Sequence, residues 1–151
     1  MRFLVGSDYA PDPNAGAAGT IYWTNRALES LGHEVDEFWG PDLPHRIRHG
    51  NLHYLLELPP AFRREVALRC RRRPYDAVIL DQPHAFLAGE YLQTRHPEIL
   101  FLNRTQGWEG QFDEAMHALD SSGAPHAGHL RRWGRSAMRR LLSRHQTRVI
   151  A

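Results

Sequence analysis

Three unbroken apolar runs constrain this chain more than any other feature: RFLVG at residues 2–6, AVILD at 77–81 and EILFL at 98–102. A strand with one wet face alternates apolar and polar residues. A run that is apolar at successive positions belongs to a strand covered on both faces, as in a parallel sheet lying between helices. The segments between these runs have helical rather than alternating period. From Gly16, the residues Ile21, Thr24, Leu28 and Leu31 recur at three- and four-residue spacing, and Gly32 follows where a helix C-terminus wants glycine. HEVDEFW at 33–39 reads as a second strand, closed by Gly40-Pro41. After Pro59-Pro60, AFRREVALRCRRR reads as a helix with Phe62, Val66 and Leu68 on its inner side, stopped by Pro74-Tyr75-Asp76. HAFLAGEYLQTRH at 84–96 is a further short helix.

Strands and helices in this rhythm predict an α/β domain with a doubly wound parallel sheet, Rossmann-like, in three layers. At 151 residues the chain suffices for one such domain and is too short for two, so residues 1–151 are expected to form a single unit. Beyond residue 104 the reading continues with a polar loop TQGWEGQ, the segment FDEAMHALD and a break at SSGAPHAG. A long amphipathic helix follows, HLRRWGRSAMRRLLSRH, with Leu130, Trp133, Ala137, Leu141 and Leu142 on one stripe. The last residues, TRVIA, look like another strand without a covering helix, as in a piece of a longer protein.

All 19 basic residues are arginine, and the net charge is only +2. The basic clusters at Arg71–Arg73 and within 130–148 read first as solvated helix faces, and second as contacts for an anionic membrane surface; nucleic acid is a third and weaker reading, and is not the expected partner. No apolar run approaches the roughly 20 residues of a membrane span, and the opening MRFLVGSDYA lacks the form of a signal peptide. The one cysteine, Cys70, fits a reducing compartment, so the expectation is a cytoplasmic protein, peripheral to the membrane at most.

In doubly wound sheets ligands bind at the carboxyl ends of the strands, where the strand order reverses. Three junctions should meet there. The first runs from Ser7 to Thr20, where Gly16, Ala17 and Gly19 open a helix. Small residues there either let backbone N–H groups approach an anion or merely make a tight turn. The run is neither GxGxxG nor a P-loop. At the second junction, DQPHAF, Asp81 and His84 either meet a ligand hydroxyl or serve the fold, Asp81 as a helix cap. The third, NRTQGWEGQ, is densest in polar groups: Arg104, Gln106 and Glu109 arrive together beside Gly107, with Trp108 as a pocket wall or a packing residue. Between 41 and 60, His45, His49 and His53 recur every four residues. Pro44 and Gly50 interrupt them, and no metal site is expected.

In order, these pieces resemble the amino-terminal domain of family-four-like retaining glycosyltransferases of the GT-B fold. The matching pieces are a first strand followed by NAGAAGT, a helix ending in LESLGHEV, then PYDAVILDQPHAF, EILFLNRTQGWE, and a basic helix leading to RHQTRVIA. Where the family usually has two adjacent glycines this chain has Ala15-Gly16, and where it commonly has a histidine before the third-loop glycine this chain has Gln106. The resemblance implies an acceptor-binding half of a nucleotide-sugar-dependent transferase, with the donor held mainly by a second, carboxyl-terminal domain absent from this chain. It implies that the chain alone is a poor enzyme, and that no metal or other cofactor is needed beside the nucleotide-sugar substrate. It also implies a glycan, lipid-linked or small-molecule acceptor, with peripheral membrane contact through the arginine-rich helix. Its site residues would be Gln106, Glu109 and His84 in catalysis, with Gly16, Ala17, Gly19, Asp81, Arg104, Gly107 and Trp108 binding substrate. A different class of function, a stand-alone binding or regulatory module on the same scaffold, stays open because fold does not dictate function.

Overall fold

The computed structural model describes residues 1–49, 52–81 and 83–104, all within one compact unit, Met1–Gln106. Gln106, Gly107, Trp108 and Glu109, and the segments expected to form an amphipathic helix at 129–145 and a terminal strand, lie outside the described residues.

The apolar runs become strands β1 (Arg2–Gly6), β3 (Ala77–Asp81) and β4 (Leu100–Arg104), and β2 spans Glu34–Phe38. All pairings are parallel, in the order β2-β1-β3-β4. The chain thus moves outward from β1 to β2 and then crosses back past β1 to β3, which puts the reversal of strand order between β1 and β3. This is a four-stranded parallel α/β sheet, compatible with a Rossmann-like fold. Helix α1 (Gly16–Ser30) packs on one face, where Ile21 meets Val5, Trp39, Phe3 and Ile79. Helices α2 (Leu58–Arg72) and α3 (Phe86–Arg95) cover the other, burying Leu4, Phe38, Phe62, Val66, Val78, Leu80 and Leu92. Alternate residues of β1 and β3 feed opposite clusters, which is why these strands had to be apolar throughout.

Local departures from the expected pattern have physical causes. The inner face of α1 is turned so that Asn25 is buried and Leu31 is 72% exposed. Asn25 reaches this position by donating to Glu37 of β2, a carboxylate that also accepts from Arg26 and from the Trp39 indole at 2.9 Å. Helix α2 begins at Leu58, before the prolines that were expected to precede it, because a helix's first turn needs no proline N–H. It grows out of a π-helical turn at His53–Glu57, closed by the Leu58 N–H bonding back to the His53 carbonyl. Asp81 does not cap the next helix: after a 3-10 turn at Pro83–Ala85, α3 starts from Ala85. Among the described residues no helix is long and apolar enough to cross a membrane.

Two glycines have opposite surroundings. A Cβ on Gly40 would lie 2.1 Å from the Asp8 carbonyl oxygen, whereas one on Gly16 would meet nothing within 4 Å. Gly40 binds the loop after β1 by donating its N–H to the Tyr9 carbonyl at 2.8 Å. Gly40→Ala is therefore expected to cost about 1–3 kcal/mol in urea denaturation, as overpacking does. Gly16→Ala should change stability by less than about 0.5 kcal/mol.

Candidate functional site

The carboxyl rim of the sheet, beside the strand-order reversal, collects side chains from three strand ends. β1 runs out at Gly6 into Ser7 and Asp8, β3 at Asp81, and β4 at Arg104, with Asp81 and Arg104 directly paired in register. Asp81 is fully buried. It is held by a two-pronged contact: Arg104 donates from Nε to Oδ1 at 2.7 Å and from Nη2 to Oδ2 at 3.3 Å. Burial raises the Asp81 carboxyl above the usual aspartate range, against the opposing pull of Arg104 and of the Ser7 hydroxyl beside it. The pair is thus close to charge-neutral at the rim.

His84 follows on the 3-10 turn and is 5% exposed. Its ring sits edge-on to Phe62 at 5.1 Å between centroids and 5.8 Å from Tyr54. Burial pushes the imidazole down to about 4, with His53 adding to the push, so it is neutral at physiological pH. Its Nε2 is buried without a hydrogen-bond partner among the described residues, 3.8 Å from Asp8 Oδ1, which is too long for a direct bond. A neutral, buried imidazole nitrogen of this kind can donate to or accept from a ligand hydroxyl without first shedding a charge.

The π-helical turn supplies a third layer. His53 Nδ1 lies 2.8 Å from Glu57 Oε2, with both side chains about one-tenth exposed. The Glu57 carboxyl also accepts the N–H groups of Arg46 and Ile47. It is held down to about 2, chiefly by the Ile47 N–H and then, against burial, by His53 and Arg46. His45 stacks on His53 at 4.1 Å. Glu57 thus pins the 46–47 loop and fixes the His53 ring next to Tyr54 and His84. π-turns interrupt helices rarely, and often at functional sites. Of the three histidines spaced by four, His53 is buried in this cluster while His49 contributes its carbonyl to the His53 N–H. Among the described residues no group of three or more His, Cys, Asp or Glu could hold a metal ion.

Of the expected residues the structure pairs Asp81 with Arg104, with Ser7 beside Asp81, and separately sets His84 against Asp8, Tyr54 and Phe62, near His53 and its partner Glu57. Gly16, Ala17 and Gly19 form the first turn of α1, whose start at Ala15 has no side-chain cap and no acidic residue. Gly19 makes room for the Pro13 carbonyl, 2.9 Å from where a Cβ would sit. Among the described residues no hydrogen bond joins these three to Asp81, His84 or Arg104. One signal in the sequence pointed to part of the additional cluster: His53 and Glu57 stand four apart, the spacing that puts a carboxylate on a histidine along one helix face. Cys70, partly buried on α2, has its thiol pushed up by burial and lies outside this cluster. Compared with protein families, curated proteins and solved structures, the chain finds no match in any of the three.

Proposed function

We propose that the chain is the acceptor-side domain of a nucleotide-sugar-dependent glycosyltransferase, presenting an acceptor hydroxyl at the carboxyl rim of its sheet. The observation that carries the reading is the nearly charge-neutral rim itself: the buried Asp81 carboxyl paired with Arg104 at the strand ends, and a buried, neutral His84 on the turn that follows β3, beside the reversal of strand order. Such a lining suits a polyhydroxyl ligand, for which oriented hydrogen bonds matter more than net charge. It is less suited to a phosphate. The ordered likeness of NAGAAGT, LESLGHEV, DQPHAF and NRTQGWE to family-four-like transferases supports the same reading.

In this scheme Asp81 and Arg104 orient the acceptor, and His84 Nε2 accepts the hydrogen bond of the attacking hydroxyl. Gln106, Gly107, Trp108 and Glu109, which the resemblance would add in catalysis and substrate binding, lie outside the described residues. The acceptor oxygen bonds to the donor's anomeric carbon as that carbon's bond to the nucleoside diphosphate breaks, the hydroxyl proton passing to His84 Nε2, on a donor held by a separate domain.

The test is saturation-transfer NMR of the full chain with a panel of free mono- and disaccharides and with UDP-glucose and GDP-mannose. At least one saccharide should bind, and His84→Phe, which keeps the ring packing and removes the polar atoms, should weaken it roughly tenfold, the worth of one hydrogen bond in a dry site. Saccharide binding indifferent to His84→Phe would overturn the site. Tight binding of a nucleotide sugar by this chain alone would overturn the division of labour.

A further inference from the structure

On the flank of the sheet, away from the Asp81 rim, the last turn of α2 borders a cleft of about 220 Å³ lined by Asp36, Arg69, Arg72, Arg73 and Tyr75. Three guanidinium groups face one carboxylate. The one carboxylate is already engaged: Asp36 Oδ2 accepts the Tyr75 hydroxyl at 2.6 Å and lies 3.4 Å from Arg73 Nη1. Arg69 is drawn to Glu65, one turn back on α2, at 2.7 Å, and rests over the Phe38 ring. Even with Glu65 set against Arg69, Arg72 enters the cleft without an ion-pair partner among the described residues. Packing like-charged groups around a concavity is unfavourable in an empty site and becomes favourable when an anion enters.

The helix C-terminus explains part of this charge, since its free carbonyls favour cations in the last turn. That effect needs about half a charge, and the last turn of α2 carries Arg69, Arg71 and Arg72. We infer that this cleft is a binding site for a phosphate-bearing anion, a diphosphate or phosphate ester, gripped by Arg72 and Arg73 with Arg69 behind them. Guanidinium forks match phosphate oxygens two at a time, and with Asp36 set against Arg73 and Glu65 against Arg69, Arg72 is left as the uncompensated guanidinium that an anion would meet. The site is independent of the sugar rim, because it uses none of the same residues.

The chemistry is shared by a free phosphate ester and a lipid headgroup, so the test has two arms. In the first, the full chain is titrated with inorganic pyrophosphate while amide and guanidinium resonances are followed by NMR. Saturable shifts are expected at Asp36, Arg69, Arg72, Arg73 and Tyr75, and Arg72→Gln should weaken binding by roughly tenfold or more, as loss of a charge-assisted contact does. Arg63→Gln, an equal charge change on an exposed position of the same helix, should leave affinity within about twofold. In the second arm the chain is sedimented with phosphatidylcholine vesicles with and without phosphatidylserine. Anionic-vesicle binding that Arg72→Gln abolishes assigns the phosphate to a lipid, and pyrophosphate binding without sedimentation assigns a free ester. No dependence on Arg72 with either probe, or equal losses from Arg72→Gln and Arg63→Gln, would overturn the site in favour of diffuse electrostatics.

Discussion

Arg104→Met is expected to destabilise the protein by about 3 kcal/mol, the lower end for breaking a buried ion pair. The lower end applies because Arg104 keeps a quarter of its side-chain exposure while Asp81 has none. The variant leaves a carboxylate at the end of β3 with neither solvent nor a counter-charge, and only the Ser7 hydroxyl beside it. Asp81 can escape by taking up a proton, and burial has already raised its pKa towards that outcome. Losing Arg104 raises it further. A carboxyl whose folded pKa exceeds its unfolded value destabilises the fold as pH rises, so the deficit should be smaller in mildly acid solution and grow towards mildly alkaline solution. Asp81→Asn combined with Arg104→Met should recover at least half of the loss, because the neutral amide has no charge to strand. Urea denaturation of the three variants at two pH values decides it. A constant deficit across pH, or a double variant as unstable as the single one, would show that Arg104 acts through packing of its stem.

That pair also marks where the sequence stops being legible. AVILD and RFLVG announce themselves because a strand covered on both faces has to be apolar at every position; EILFL carries the same apolar pattern, yet β4 is the edge strand of the sheet and leaves Leu100 and Leu102 exposed. The pairing of Asp81 with Arg104 across 23 residues depends on β4 lying beside β3 in one register, and no local pattern encodes that neighbour. Ser7 and Asp8 look like ordinary loop residues until β3 is placed next to β1. The turn at His53–Glu57 was hidden by Pro59-Pro60, which read as a break between elements although the helix runs through them from Leu58. Asn25 was hidden differently: a polar residue on an apolar stripe signals burial only once its partner, Glu37 on β2, is known. The individual apolar segments were therefore visible, and most of the site was not, because it is assembled from contacts between strand ends.

Acid should unfold this protein earlier than its carboxylates alone require, through His84. An ordinary histidine titrates near 6.5, and this one is pushed down to about 4 by burial, reinforced by His53. Between those two values the unfolded chain binds a proton that the folded chain refuses, so stability is fully present above about 6.5 and drains as pH falls to about 4. The interval corresponds to roughly 3 kcal/mol. Glu57 acts in a lower window: its carboxyl titrates at about 2 rather than 4.5, so its contribution is lost only after that of His84. The two can therefore be separated along one pH axis. His84→Phe, packed against Phe62 and Tyr54 as the imidazole is, should abolish the slope above pH 4 and leave the acid limb in place. Glu57→Gln should do the reverse. Asp8 bears on the outcome, because its carboxylate at 3.8 Å would favour the imidazolium if burial did not outweigh it. Asp8→Asn should therefore carry the His84 limb to lower pH without changing its slope. A stability curve that is flat between neutrality and pH 4 in the parent protein would mean that His84 accepts its proton in the folded state, and with it the neutral rim on which the sugar-binding reading rests would be lost.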